Sequence, residues 1–555
     1  MNKKKGFALA TSVTLISSAF LAACSGGDDT TNNETGSNGS GSEGTPDEAQ
    51  VLNLLEGSDI PSLNPTLATD SVSFNVLNNV MEGLYRMDEE DNPTPGMAES
   101  HEVSEDGLTY TFKIREGATW SNGEPVTAND FEYGWKEVLN PDNGSQYAYV
   151  MSPIEGADEY NTGDGERDAV GVTAVDEQTL EVKLKAPADY FLGLTSFGVF
   201  MPKLESFDQE QGENLGTSAE TTLYNGPFKL ENWEREQGWK MVKNEEYWDA
   251  ESVKLDEINF RVVKEVQTGV NLYENGDVDR TGLTSELVAQ FQDSEDFSTV
   301  VEPTLFYLQF NSAVEALDNQ NIRNAIDRAY DKAAISETLL ANGSIPANYL
   351  VPKDFVTGPD GNDFRDINGD IGGYDPEEAK QLWEAGLEEL GTDTVELEFL
   401  NYDSETAKQI GEFIKGELEK NLEGMTVTIK QQPFNNKLEL ESAGDFEMSF
   451  AGWGPDYQDP MTFVDLFVTD GPYNRGKWSN EEFDALIESA KTSTDAEQRW
   501  ADLAAAEKIV LEESAISPVY QRGSARLTKP YVKDIVEHAF GADYSYKWAF
   551  IEGKE

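Results

Sequence analysis

Phe450-Ala-Gly-Trp-Gly-Pro-Asp-Tyr-Gln-Asp-Pro460 follows an alternating run, Phe446, Met448 and Phe450 against Glu447 and Ser449. That alternation predicts a strand with one buried face. Gly452, Gly454 and Pro455 end the strand, and the loop beyond carries Trp453, Asp456 and Tyr457. Glycines let backbone come close to a ligand, a carboxylate offers charge, and two aromatic rings offer flat faces. The same composition also serves an ordinary strand exit, with a packed Trp and a solvated Asp. The flanking chain decides between these readings.

Upstream, Val395, Leu397 and Phe399 alternate as a strand, Ile410, Phe413, Ile414 and Leu418 form a helical stripe, and Met425, Val427 and Ile429 alternate again. A strand–helix–strand unit favours parallel pairing. Open sheets of this kind bind ligands beyond the carboxyl ends of their strands, which is where the Gly452–Pro460 loop sits. Asp375-Pro376-Glu-Glu378 starts a helix, with Asp as cap and Pro at the first position, and Gly391 closes it. Asn321 to Ala341 predicts one helix ending before Gly343, with Ile322, Ala325, Ile326, Ala329 and Tyr330 on its apolar side. Nearer the start, Val51 and Leu54 predict a strand, as does Thr109–Ile114, and Thr127 or Asn129 opens a helix carrying Phe131, Trp135 and Val138. The fold class is α/β.

The chain has 555 residues, enough for two or three domains, with 41 basic and 105 acidic residues and a formal charge of -64. Such a charge argues against nucleic acid or an anionic membrane surface as a direct partner. Aromatic residues make up 10% and are spread along the chain, so acidic disorder is excluded. The acid excess reads as adaptation to a salty or alkaline exterior, where screening shortens the range of self-repulsion.

The first 23 residues read as a signal peptide: Lys3, Lys4 and Lys5, then an apolar run from Gly6 to Leu21 that is short and softened by Ser and Thr. Leu21-Ala22-Ala23-Cys24-Ser25-Gly26 looks like a bacterial lipobox, with Cys24 as the acylated residue. Cys24 is the sole cysteine, so there is no intramolecular disulfide and no cysteine chemistry in the fold. Cleavage there leaves a formal charge of -67. Residues 24–50 then comprise the lipidated Cys and a flexible acidic tether rich in Ser, Gly, Asn and Thr, so the folded part works beside a membrane without entering it.

Several segments together carry a family resemblance. Ser62-Leu-Asn-Pro65, Glu82-Gly-Leu84, Trp120-Ser-Asn-Gly-Glu-Pro-Val-Thr127, Asp130-Phe131, Tyr224-Asn-Gly-Pro-Phe228, Asn244-Glu-Glu-Tyr-Trp-Asp249, Phe310-Asn311 and Gly452-Trp453 with Asp456-Tyr457 and Pro460 stand in one order. In that order they resemble the oligopeptide-binding lipoproteins of peptide ABC importers (extracellular solute-binding proteins, family 5). The resemblance implies a periplasmic-binding-protein-like fold of two lobes with an additional domain inserted in the first. Residues 51–81, 206–304 and 518–555 would form the first lobe, 82–205 the extra domain and 305–517 the second lobe. It implies an extracellular, lipid-anchored monomer, in a Gram-positive bacterium, that captures oligopeptides and delivers them to ABC permease subunits. Asp456 would take the peptide's α-ammonium, while Trp453, Tyr457, Gly452, Gly454 and Tyr147 would line its side-chain pockets. Some relatives carry an arginine where this chain has Phe450, so a preference for peptide length does not transfer.

Other ligands remain open on the same scaffold: a dipeptide, a nickel chelate or an oligosaccharide, or a peptide signal sensed without import. No cofactor or metal is expected. Asp366-Ile-Asn368-Gly-Asp370 imitates a calcium loop, but Ile371 stands where that loop needs Gly. Gly163-Asp-Gly165 lacks the setting of a nucleotide loop. The two histidines, His101 and His538, sit in no catalytic motif, and in so acidic a chain the pair Asp456 and Asp459 is no signal of glycoside chemistry, so no enzyme is read here.

Overall fold

In the computed structural model, residues 49–188 and 190–554 are described. The leader, Cys24 and the tether up to residue 48 lie outside the described residues. Two long antiparallel strands, Phe297–Phe310 and Ile516–Thr528, form the spine of the molecule. At one end Ile516–Thr528 pairs with Arg280–Leu283. At the other, Phe297–Phe310 pairs with Met448–Trp453, which continues through Val395–Tyr402 to Met425–Gln432. The ladder between the two long strands breaks between Val301 and Leu305, where Pro303 has no N–H to give, and shifts again between Phe306 and Tyr307, opposite Pro518. The expected lobe boundaries at 304/305 and 517/518 fall inside these continuous strands.

The predicted strand–helix–strand unit is present. Val395–Tyr402 and Met425–Gln432 are parallel neighbours joined by the helix Glu405–Asn421. Ile410, Ile414 and Leu418 are buried with Leu397, Phe399 and Val427 in one hydrophobic core. Asp375 caps the helix Pro376–Leu390 through the amides of Glu377 and Glu378, and Gly391 ends it in the left-handed region at φ 69°. The single helix expected over Asn321–Ala341 is two. Gln320–Arg328 stops, and Asp331 Oδ1 accepts from the amides of Ala333 and Ala334 and starts a second helical segment, Ala334–Leu340. A side chain able to cap an amide pair thus interrupts an unbroken apolar stripe.

Val51–Glu56 pairs with Glu257–Val262, and this four-stranded sheet continues through Gly238–Lys243 to Phe228–Glu234. A separate antiparallel sheet is built from Ala98–Val103, Thr109–Ile114, Thr179–Lys183 and Val172–Asp176. The helix Ala128–Leu139, started by the reciprocal Thr127–Asp130 capping box, buries Phe131 and Trp135 beside it.

Three of the sequence motifs meet at one buried joint. Glu82 accepts from Arg86 Nε at 2.8 Å, Tyr247 OH at 2.6 Å and Trp248 Nε1 at 2.5 Å. The Asn225 amide bonds the Glu82 backbone on both sides. A Cβ on Gly226 would lie 2.6 Å from the backbone of Val80 and Met81, which is why that position carries none.

Candidate functional site

Between the lobes lies a cavity of about 670 Å³. The irregular middle of the long strands runs along it, and the loop after Met448–Trp453 lines one part of its wall. Gly452 faces the Phe306 ring, and a Cβ there would come within 2.8 Å of it. This glycine therefore admits a neighbouring side chain rather than a ligand's backbone. Gly454 sits similarly against Thr304 Oγ1, at 3.2 Å from where its Cβ would be.

Asp456 is 6% exposed. Its amide donates to Thr462 Oγ1 at 3.0 Å, and the neighbouring Pro455 carbonyl accepts from the Gly541 amide at 2.8 Å, which fixes the loop. Oδ1 accepts from Tyr147 OH at 3.2 Å, while Oδ2 is buried without a hydrogen-bond partner. Burial pushes the Asp456 carboxyl well above the usual carboxylate range; the Tyr147 hydrogen bond opposes this, and the nearby charge of Asp465 adds to it. Among the described residues, no cation forms an ion pair with it.

Aromatic rings surround that carboxylate. Trp453 stacks near Tyr147 with centroids 6.2 Å apart, and Tyr473 meets Trp453 edge-on at 4.7 Å and Tyr147 at 5.1 Å. The Trp453 Nε1 is buried and has no acceptor. Tyr147, Trp453, Gly452, Gly454 and Asp456 all line the cavity. Tyr457 does not: it is buried behind the loop, stacked on Tyr190 at 5.1 Å. Asp459 is likewise structural, held by both terminal nitrogens of Arg499 at 2.7 and 2.8 Å. The calcium-like segment is a short helix, with the Asn368 amide donating to Ala504 O and Glu507.

Several lining residues were not legible in the sequence. Phe306 stacks on Phe450 at 5.4 Å and on Tyr520 at 5.0 Å, making an aromatic wall. Lys264 bridges to Asp403 at 3.0 Å, Arg522 pairs with Glu302, and His538 Nδ1 meets Asp91 at 2.8 Å. Glu56 and Asp70 also line the cavity, and burial raises them to about 7 and about 6 respectively. These partners come from distant segments, and no local spacing announces them.

Residues 92–475 match the family model described as bacterial extracellular solute-binding proteins, family 5 Middle. The chain belongs to this family. Along the family's lines, the chain is 37% identical over 521 residues to the dipeptide-binding protein DppE of Bacillus subtilis, covering 94% of this chain and 95% of that one. The substrate-binding domain of an oligopeptide ABC transporter from Bacillus anthracis superposes with a TM-score of 0.90 at 43% identity, over 92% of this chain and all of that one. OppA of Listeria monocytogenes, solved bound to peptide, gives 0.89 at 41% identity, over 91% and 99%. The two-lobed α/β architecture is that of these family members, and these are solute-binding proteins rather than enzymes. No helix among the described residues is long and apolar enough to cross a membrane.

Proposed function

We propose that the chain is a cell-surface receptor that binds peptides in the cleft between its lobes and delivers them to the permease of an ABC transporter for import. The observation that carries this is Asp456, a buried carboxylate with an idle oxygen and no cation, beside a cavity walled by aromatic faces. Burial disfavours the charged form of such a carboxyl unless a cation from outside the fold pairs with it, and a peptide's α-ammonium supplies one. Peptide is also the ligand class in the names and titles of the three relatives described above.

Extended peptide would lie along the strand ends, held by main-chain hydrogen bonds that are indifferent to its sequence. Its side chains would enter pockets lined by Trp453 and Tyr147. The first lobe would comprise 51–81, 206–304 and 518–555, the extra domain 82–205 and the second lobe 305–517. Opening would pivot where the two long strands lose register. The Tyr147–Asp456 and Lys264–Asp403 contacts would close across the cleft. Lipidation at Cys24 would hold the receptor outside the membrane, and Cys24→Ala would release it into the medium. Its acidity would suit a salty or alkaline habitat.

Mass spectrometry of ligand released by denaturing the freshly purified protein tests the reading. Peptides are expected; a uniform sugar or metal chelate would contradict it.

A further inference from the structure

The walls of the cavity are unevenly charged. Among the described residues the cations lining it are Lys264, Arg475 and Arg522, and each is already held by a carboxylate: Asp403 at 3.0 Å, Glu441 at 3.3 Å and Glu302 respectively. Three further carboxyls gather at one corner. Glu56 ends the strand Val51–Glu56, Asp70 caps the helix Ser71–Val80, and Asp543 stands in the turn between the paired strands Val536–Glu537 and Tyr544–Ser545. Asn75 of that helix draws the turn in: its Oδ1 accepts from the Asp543 amide at 2.6 Å and its Nδ2 donates to Asp543 Oδ2 at 3.2 Å. Burial raises Glu56 to about 7, and the charges of Asp543 and Asp70 push it the same way. Among the described residues no cation lies in ion-pair range of Glu56 or Asp70, and Asp543 has only Arg522, 3.9 Å away and held by Glu302. Asp70 is taken up by its cap, with the Ser73 amide and hydroxyl donating at 2.9 and 2.7 Å. Glu56 is half-buried and accepts from the adjacent Gly57 amide at 2.8 Å.

His538 lines the cavity from the same turn, with its side chain 3% exposed. Its Nδ1 lies 2.8 Å from Asp91 Oδ1, and a carboxylate only accepts, so Nδ1 carries the proton. In the neutral ring Nε2 is then a bare acceptor, and it is buried without a partner. The His538 amide donates to the Asp543 carbonyl at 3.0 Å, which ties this ring's backbone to the acidic corner. A corner that offers acceptors and uncompensated negative charge suits a ligand group that brings donors and positive charge.

We propose that Glu56, Asp543 and His538 form a subsite for a basic side chain of the bound peptide, so that the receptor prefers peptides carrying arginine or lysine at one position. This rests on the peptide reading proposed above and adds a preference among peptides. Arginine suits the corner better than lysine, because a guanidinium spreads five donors in a rigid fork and the acceptors come from separate segments. The preference is local. Attraction by the whole chain's charge of -64 would draw any cation and favour no position of the peptide.

Alanine tripeptides with one arginine at the first, second or third position, and the same three with citrulline, its uncharged near-isostere, test this. They are titrated calorimetrically at about pH 8, where carboxyls of this kind are ionised, into the unaltered protein, Glu56→Gln and Glu384→Gln. Glu384 is 66% exposed on the helix Pro376–Leu390, so its variant removes the same charge from the surface. At one position arginine is expected to bind at least tenfold more tightly than citrulline, and at the other two within threefold. Glu56→Gln should cut that ratio at least fivefold and leave the citrulline peptides within threefold, which also reports an intact cleft. Glu384→Gln should leave the ratio within twofold. The comparison in the unaltered protein stands whether or not Glu56→Gln folds. A ratio below tenfold at every position, a tenfold gain at more than one, a ratio that survives Glu56→Gln, or one that falls equally with Glu384→Gln would overturn the subsite. Citrulline peptides that bind as well as arginine ones would sink the subsite and leave the peptide reading standing. If none of the six peptides binds the unaltered protein, the peptide reading fails and takes this one with it.

Discussion

Asp456 and Glu82 are both buried carboxylates, and their partners separate a site from a joint. Glu82 is satisfied from three sides by Arg86, Tyr247 and Trp248, so it holds two parts of the fold together. Glu82→Gln would strand the Arg86 guanidinium in a buried setting, an expected loss of roughly 3–5 kcal/mol in denaturant unfolding. A loss under about 1 kcal/mol would show that the joint does not depend on this charge pair. Asp456 keeps one carboxylate oxygen buried without a partner, and on that ground we propose it as a place for a ligand. The loop residues Gly452 to Asp456 were legible because glycine, proline and aromatic residues punctuate a strand end in sequence. Arg475 and Glu441 were not: they lie 34 residues apart, and their third partner Gln146 is 329 residues from Arg475. Lys437 and Glu441 are one helical turn apart, and read from sequence alone they look like an ordinary solvated pair; only the packing reveals their burial.

At the scale of elements, the sequence predicts the strand Thr109–Ile114, the strand through Val395, Leu397 and Phe399, and the helix from Pro376 because period and capping residues agree there. It misses the break near Asp331, where one side chain's capping bonds outweigh a continuous apolar stripe. It also misses the long strands, since their partners Leu305↔Gln521 and Val301↔Gly523 are set by tertiary pairing. Gly523 shows how tightly that pairing is packed. A Cβ there would fall 2.0 Å from the Ser344 amide nitrogen, and the Gly523 amide donates to Ser344 Oγ at 2.8 Å. Gly523→Ala is therefore expected to cost about 1–3 kcal/mol by forcing backbone apart. Unchanged stability in urea would mean that the strand shifts freely at this point.

Over the whole molecule, charge dominates. With -64 on the full chain, stability should rise with sodium chloride as screening weakens repulsion between like charges. A flat or falling melting midpoint would remove the halophilic reading. Four carboxyls sit on the same side of the balance: burial raises Glu56 and Asp465 to about 7, and Asp70 and Asp130 to about 6. Between about pH 4 and 7 the folded protein holds protons there that the unfolded chain gives up, so their stabilisation is full below the unfolded values and is lost as pH rises through the folded ones. Calorimetric melting of ligand-free protein should show a higher midpoint at pH 5 than at pH 7; the reverse order would contradict these shifts. The most direct measurement of the receptor reading titrates trialanine and its N-acetyl form into the unaltered protein and into Asp456→Asn. Either single change should cost roughly 3–5 kcal/mol, about two to four decades in affinity, and the two together little more than one, because both delete the same ion pair. Penalties that simply add, or unaltered protein that binds the acetylated peptide as tightly as the free one, would contradict Asp456 as the amine site.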